Sequence, residues 1–230
     1  MTYRSAFKTA CLAYATQAKM PIPAGFNTSD TYGESARTLT KAIQKKHKLR
    51  QDGNMTPETL LVVGRWLPGA TVGARAVWAM RCVEGPLEVW GNNAGPYVEQ
   101  IQKLGTGLAP GSWPWCAATT SWALRCAGWK SWAAFCKTGG EAAVISWKNA
   151  AIAGRYGLSV KSYRTGTTGD LIVFGSDAHH IGFLNARVNP VNGNVETIEG
   201  NTSSTKPSKA DGLWRRSRNA AVPQLVIRVK

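Results

Sequence analysis

The chain has 230 residues, of which 43% are hydrophobic and 18% are charged, a balance that excludes a disordered chain and is typical of a globular protein. Its formal net charge of +15 favours a polyanionic partner, whether nucleic acid, anionic lipid or an acidic bacterial wall polymer, and charge alone does not choose among them. No apolar run has transmembrane length, and the N-terminus lacks the apolar stretch of a secretory signal. We therefore expect synthesis in a reducing cytosol, free thiols and no stable membrane insertion.

The first third of the sequence predicts a small all-α domain over residues 1–70. Ala36, Leu39 and Ile43 recur at the spacing of one helix face. After the Asp52-Gly53 turn, Thr56-Pro57 is typical of a helix start, with threonine as the cap and proline in the first turn. The small-residue stretch 68–73 indicates a linker, so a second domain is predicted over residues 74–230.

The second segment changes from helical to strand-like patterns along the chain. Helices are predicted over residues 75–83, 96–104, 116–127 and 146–153, and strands over residues 170–174, 180–186, 195–199, 213–217 and 225–229. Helices followed by a run of strands that resemble an antiparallel sheet are typical of the α+β class. We therefore expect an α+β domain in this half of the chain.

Cys116 is the candidate nucleophile. Trp113-Pro114-Trp115 interrupts the chain just before it, and a helical pattern begins at the cysteine. A thiol at a helix N-terminus lies beside unpaired N–H groups and the positive end of the helix dipole, both of which favour the reactive thiolate. The alternative is a buried cysteine that acts as a small hydrophobic residue. Cys11, Cys82, Cys126 and Cys136 have no comparable context, and we expect them to be unreactive.

Two strand-like segments downstream supply candidate partners for the thiol. His180 lies in one segment, and Glu199 and Asn201 lie in another, which gives the order Cys, His and polar residue found in papain-like enzymes. Glu199 and Asn201 are two positions apart, so an extended strand would place both side chains on one face. His179 competes with His180 for the role of base, and strand alternation sends the two to opposite faces.

These motifs together resemble the CHAP family, the cysteine- and histidine-dependent amidohydrolases and peptidases of bacterial wall enzymes and phage endolysins. The resemblance covers residues 84–201 and depends on Asn92–Tyr97, Trp115–Ala117, Gly169–Phe174, His180–Phe183 and Ile198–Thr202. It implies a papain-like fold in which Cys116 attacks, His180 transfers protons, Glu199 orients the imidazole and Asn201 adds a second orienting group. It also favours His180 over His179 and implies a structural role for Asp170.

Other expectations concern ligands of the same site. Some members of this family bind calcium through acidic residues just before the nucleophile, but residues 105–112 here contain no carboxylate. We therefore expect neither a metal nor another cofactor. Trp113 and Trp115 flank the nucleophile and are candidate substrate contacts, with packing in the core as the alternative.

Residues 30–67 resemble a small helical peptidoglycan-binding domain. The similarity lies in Tyr32–Ser35, Ile43-Gln44, Lys48-Leu49, Asp52-Gly53 and Pro57–Thr59. It implies that this segment binds wall glycan or stem peptide in a shallow groove. The alternative is a structural helical cap with a basic solvated face.

The two resemblances together predict a monomeric phage-type endolysin that cleaves an amide bond in the peptide part of peptidoglycan. The bond is either the N-acetylmuramoyl-L-alanine link or a peptide bond in the stem or cross-bridge. Acidic wall polymers are a further candidate partner, and release through a holin-type pore is the expected route from the host cytoplasm to the wall. The alternative is a non-catalytic wall-binding or nucleic-acid-binding protein on a degenerate hydrolase fold, although no nucleic-acid-binding motif is present and we expect no such partner.

Overall fold

The computed structural model describes residues 2–137, 141–203, 211–219 and 223–230. Within these ranges the chain forms eight α-helices and one antiparallel sheet of seven strands, which confirms the α+β class. The helices are α1 (Tyr3–Gln17), α2 (Glu34–Lys46), α3 (Pro57–Val63), α4 (Val72–Cys82), α5 (Pro96–Thr106), α6 (Cys116–Cys126), α7 (Trp132–Cys136) and α8 (Val144–Ile152). The strands are β1 (Gly85–Pro86), β2 (Leu158–Lys161), β3 (Leu171–Phe174), β4 (His180–Leu184), β5 (Val195–Thr202), β6 (Gly212–Arg218) and β7 (Pro223–Val229).

Two helix starts follow directly from the local sequence. The Thr56 hydroxyl accepts a hydrogen bond from the Thr59 N–H at 3.2 Å, and Pro57 occupies the first turn of α3, as predicted. Helix α6 begins at Cys116, immediately after Pro114-Trp115, so the candidate nucleophile stands in the first helical position. The structure thus confirms the predicted start of the nucleophile helix.

The sheet has the order β1-β6-β5-β4-β3-β7-β2, so β4 and β5 are central neighbours. All four residues of β3 are buried, as expected for a strand covered on both faces. The structure adds β2, which pairs with β7 and which was not predicted; its four residues alternate between apolar and polar, but so short a stretch lies at the lower limit of a strand signal. The register sets Phe183 of β4 opposite Ile198 of β5, which brings Glu199 alongside the first half of β4.

Helix α6 lies between the sheet and the remaining helices. It packs against β4 and β5 on one side and against α4 and α5 on the other. Its first residues after the cysteine are small and buried, namely Ala117, Ala118 and Thr119. Small side chains let the helix approach the strands closely, and this brings the start of α6 to the start of β4.

The N-terminal helices share one hydrophobic core with the second segment. The Trp78 indole N–H of α4 donates to the Tyr3 carbonyl at 3.1 Å, and the Trp122 indole N–H of α6 donates to the Pro57 carbonyl at 3.2 Å. Helices α1 and α3 therefore support the helix that carries Cys116. The division of labour between residues 1–70 and 74–230 stays a prediction.

In the described part of the chain, no helix combines the length and the apolar character that a membrane span requires.

Candidate active site

Three of the predicted site residues meet where α6, β4 and β5 converge. Cys116 opens α6 and is 4% exposed, while His180 is the first residue of β4. The His180 Nε2 lies 2.9 Å from the Glu199 Oε2 on β5, and the Glu199 side chain is 0% exposed. The imidazole therefore stands between a thiol and a fully buried carboxylate.

The imidazole is held in its charged form by both neighbours. Burial of His180 opposes protonation, but hydrogen bonds with Cys116 and Glu199 outweigh it and raise the pKa of His180 from its ordinary value of 6.5 to about 9. Because Nε2 is engaged by Glu199, the other ring nitrogen is the one free to exchange a proton with the thiol. The arrangement favours an imidazolium beside Cys116 at neutral pH.

Arg218 and Thr197 stabilise the anionic form of Glu199, in addition to His180. The Arg218 guanidinium donates from Nε to Oε1 at 3.1 Å and from Nη2 to Oε2 at 2.5 Å, and the Thr197 hydroxyl donates to Oε1 at 2.5 Å. Burial alone would raise the pKa of Glu199, but hydrogen bonds from His180 and Arg218 and the nearby charges lower it to about 2. Glu199 is thus ionised throughout the range in which an enzyme would act.

Arg218 and Thr197 are site residues that the sequence analysis did not identify. Residues 214–218 carry a basic pattern that is typical of a solvated strand edge or of a contact for acidic wall polymers, and neither interpretation indicated the role of Arg218. Thr197 and Glu199 are two apart on β5, and Thr197 pairs with Arg216 on β6, so alternation places all these side chains on one face. Alternation along these two neighbouring strands was the sequence signal that could have identified Thr197 and Arg218 as neighbours of Glu199.

Two glycines make room for this geometry. A Cβ on Gly182 would lie 2.7 Å from the Glu199 Cγ, and a Cβ on Gly200 would lie 2.2 Å from the Thr119 Oγ1 on α6. Gly182 therefore lets the carboxylate lie over β4, and Gly200 lets β5 approach the nucleophile helix. The glycine of the His-Ile-Gly motif is therefore needed because a larger side chain at position 182 would collide with Glu199.

The prediction that Asn201 orients the imidazole is wrong in its geometry. The β5 register shifts between Glu199 and Thr202, and Asn201 adopts a left-handed φ of 54°, so its side chain does not follow that of Glu199. Its Oδ1 instead accepts from the Trp115 N–H at 3.2 Å, and its Nδ2 donates to Glu88 and Asn93 at 3.0 and 2.8 Å. Asn201 fixes the residue just before Cys116 and also lines the cleft beside His180.

Glu88, which was not predicted as a site residue, lies at the centre of the hydrogen bonds around Asn201. It is buried, and its carboxylate accepts from the Trp115 indole N–H at 2.9 Å, from the Asn201 amide and from the Asn93 backbone N–H at 3.0 Å. Asn93 adopts a left-handed φ of 57° in its loop. The network ties the loop before α6 to β5.

Trp113 and Trp115 have different positions. Trp113 is partly exposed and lines a cleft with Cys116, which is compatible with a substrate contact. Trp115 is fully buried with its indole N–H bonded to Glu88, so the predicted substrate contact is wrong for this residue in the described conformation. Its alternative, packing under the site, is the observed one.

Two clefts open on either side of the Cys116–His180 pair. One, of about 240 Å³, has a mostly polar wall that includes Phe174, His180, Asn201 and Arg218. The other, of about 500 Å³, has a largely apolar wall that includes Leu108, Trp113, Pro114, Cys116 and Ile145. His179 lines both clefts, so an extended substrate could pass over the pair from one cleft to the other.

The competing residues occupy other surroundings. The His179 side chain is 61% exposed and its Nδ1 lies 2.7 Å from the Asp177 carboxylate, away from Glu199. Asp170 is buried against Arg228 and Lys161, in agreement with a structural role. Burial raises the pKa of the other four thiols, which keeps them protonated: Cys11, Cys82, Cys126 and Cys136.

Two further features concern ligands. Among the described residues, no group of three or more His, Cys, Asp or Glu side chains stands in an arrangement that could hold a metal ion, and the expectation of a metal-free enzyme stays a prediction. A groove of about 600 Å³ in the N-terminal segment is lined by Arg4, Asp30, Tyr32, Arg37 and Asn54, among others. It falls partly within the residues that resemble a peptidoglycan-binding domain.

Comparisons of the chain with protein-family models, with curated proteins and with solved structures gave no match.

Proposed function

We propose that the protein is a cysteine hydrolase of the bacterial wall, a papain-like CHAP enzyme of the endolysin type. The single observation that carries the proposal is the buried His180–Glu199 pair in contact with Cys116 at the start of α6. A fully buried carboxylate is costly unless it is paired, and its pairing here with a histidine that also reaches a thiol is the arrangement that nucleophilic catalysis needs. The motifs of residues 84–201 supply the substrate class.

The chemistry follows from the protonation states. The Cys116 thiolate attacks the carbonyl carbon of an amide, and the backbone N–H of Cys116 donates to the developing oxyanion. The His180 imidazolium then gives its proton to the leaving amine, the C–N bond breaks and a thioester forms. A water molecule, deprotonated by neutral His180, attacks the thioester; the C–S bond breaks, the acid leaves, and the Cys116 thiolate and the His180 imidazolium of the starting state are restored. Glu199 keeps the imidazole oriented through both steps.

The substrate is an amide bond in the peptide part of peptidoglycan, either the N-acetylmuramoyl-L-alanine link or a bond in the stem or cross-bridge. The two clefts, one lined by His180 and the other by Cys116, support a substrate that extends in both directions from the scissile bond. The groove near Tyr32 and Arg37 is a candidate for wall contact by the N-terminal segment. Synthesis in a host cytoplasm, action at the wall after holin-type release, and attraction to acidic wall polymers belong to the same proposal.

The test is digestion of purified sacculi by the wild type, by Cys116→Ala and by the control Cys136→Ala. We expect the wild type and the control to clear the suspension and Cys116→Ala to be inactive. Mass spectrometry of the fragments identifies the bond, because an amidase leaves free lactyl groups and an endopeptidase leaves new peptide amines. Binding of duplex DNA, titrated in parallel, separates this proposal from the alternative: tight DNA binding without wall cleavage would overturn it.

A further inference from the structure

Arg218 donates two of the hydrogen bonds that the buried Glu199 carboxylate accepts. It is the last residue of β6, and its guanidinium engages both oxygens of Glu199, at 3.1 Å and 2.5 Å. The guanidinium also lies over the Phe174 ring, with 5.2 Å from its central carbon to the ring centre, and that ring packs against the His180 imidazole at 5.7 Å. Arg218 thus contacts the two groups that surround the imidazole without being bonded to it.

The two cations share one carboxylate oxygen. Glu199 Oε2 accepts from His180 Nε2 at 2.9 Å and from Arg218 Nη2 at 2.5 Å. A bidentate arginine fixes the plane of a carboxylate, so Glu199 cannot rotate away from the imidazole. The positive charge of Arg218 also offsets part of the attraction that Glu199 exerts on the imidazolium proton.

We propose that Arg218 is a positioning residue that acts through Glu199, fixing its carboxylate toward His180 and limiting how strongly that carboxylate holds the imidazolium proton. The inference rests on the proposed cysteine chemistry, which requires the imidazolium to release its proton to the leaving amine. The charged and titratable groups around the imidazole are Cys116 from α6, Glu199 from β5 and Arg218 from β6, with His179 and Asp211 in the wall of the same cleft. Asp177 pairs with His179 at the cleft rim.

An NMR titration of His180 tests the electrostatic part without any substrate. Removing the positive charge in Arg218→Met leaves the full charge of Glu199 facing the imidazolium, so the His180 midpoint rises by about one pH unit. Arg218→Lys keeps the charge and leaves the midpoint close to that of the wild type. The matched control is Arg228→Met, which removes the arginine paired with Asp170 and leaves the midpoint unchanged. An unmoved midpoint in Arg218→Met, or an equal rise in the control, would overturn the proposal.

Kinetics on muropeptides test the positioning part. We expect Arg218→Met to lower kcat about tenfold with little change in KM, because substrate binding is intact while the imidazole is misaligned. In a Glu199→Gln background the same substitution should cause no further loss, because the carboxylate through which Arg218 acts is gone. An equal loss in both backgrounds, or a rise in KM alone, would contradict the proposal.

Two safeguards keep these results separable. If Arg218→Met does not fold, Arg218→Lys still tests positioning, since it should lower kcat while the alkaline limb of the pH profile stays in place. Unchanged kcat in a folded Arg218→Lys would then overturn the proposal. Failure of the proposed function has a different signature, namely full wall cleavage by Cys116→Ala, whereas the NMR midpoints report on Arg218 whether or not the wall is cleaved.

Discussion

Two buried carboxylates of the sheet, Glu199 and Asp170, have nearly the same surroundings. Glu199 on β5 pairs with an arginine of β6 and accepts from the Thr197 hydroxyl, whereas Asp170, just before β3, pairs with Arg228 of β7 and accepts from the Thr167 hydroxyl. Hydrogen bonds to the carboxylate outweigh burial in both cases and lower both pKa values. The shared pattern shows that a buried carboxylate–arginine pair is not in itself a sign of a reactive site.

The third partner separates the two carboxylates. Glu199 contacts His180, which reaches Cys116 and lines a cleft, whereas Asp170 contacts Lys161, which joins β2 to the sheet. An imidazole, unlike the groups around Asp170, can take up and return a proton near neutral pH. Under the proposed function, Glu199 therefore serves the chemistry, whereas Asp170 serves the packing of strands.

The largest effect is expected from the imidazole itself. His180→Ala should lower kcat/KM on muropeptides by about 10³- to 10⁴-fold, since it removes the imidazole that is hydrogen-bonded to the Cys116 thiol and placed to take and return its proton. His179→Ala, an exposed neighbour paired with Asp177, should stay within a few-fold of the wild type. Steady-state rates of the two variants provide the check, and a reversal of their order would assign the wrong histidine to the site.

Substitution of Glu199 should lower mainly the rate, whereas substitution of Asp170 should lower mainly the stability of the fold. Glu199→Gln should lower kcat/KM by about 100-fold, because the imidazolium loses its counter-charge and faces Arg218 alone. Asp170→Asn should leave the rate within about twofold, yet lower the free energy of unfolding by about 2 kcal/mol, since it leaves Arg228 and Lys161 without their buried partner. Urea unfolding measured beside the rates distinguishes the two losses. Equal rate losses in the two variants would remove the distinction between the carboxylates.

A steric change at Gly182 should have a smaller effect on the rate. Gly182→Ala places a methyl group 2.7 Å from the Glu199 Cγ, so the carboxylate must shift away from His180. We expect kcat/KM to fall about tenfold, as misplacement of a catalytic group by a fraction of an ångström does. Crystal structures or His180 NMR shifts of the variant check the cause, and wild-type rates would show that the fit of Glu199 over β4 is not limiting.

The smallest expected effect is the dependence of kcat and of fold stability on pH. Because the folded pKa of His180 is raised from 6.5 to about 9, the imidazolium persists through neutral pH, and kcat should fall as the pH rises through about 9. The same shift stabilises the fold fully below pH 6.5, and that stabilisation is lost between 6.5 and 9. Glu199, with its pKa lowered to about 2, stabilises the fold above its ordinary value of 4.5 and loses this as the pH falls toward 2. Rate profiles and unfolding curves over this range give the test, and in Glu199→Gln the alkaline limb should move to lower pH.

Local patterns predicted much of this molecule. The start of α6 at Cys116, the cap at Thr56 and the α+β class were accessible, because each depends on local sequence patterns. The pairing of His180 with Glu199 was expected only from the resemblance to the CHAP family. Asn201 shows the limit of that alternation, since a register shift and a left-handed backbone turned its side chain to Trp115. No local sequence pattern predicts this register shift in β5.

Contacts between residues far apart in the chain could not be predicted from the sequence. Glu88 lies 113 positions from Asn201, and only the closed sheet brings the two together. Arg218 belongs to a basic run in which Arg215 pairs with Glu84 at the surface, so composition suggested a solvated edge or a contact for acidic wall polymers instead of a buried pair. The N-terminal helices resemble a separate module in sequence, yet α1 and α3 share a core with α4 and α6. Each of these contacts depends on tertiary packing.

The central claim is that Cys116 is the nucleophile activated by His180 and Glu199. Alkylation with iodoacetamide at neutral pH tests it most directly, with peptide mass mapping of each cysteine and residual sacculus digestion measured on the same samples. The account predicts that activity is lost in proportion to modification of Cys116, ahead of Cys82 and Cys136, and that Cys116 of His180→Ala reacts far more slowly. A protein fully modified at Cys116 that still digests sacculi would contradict it.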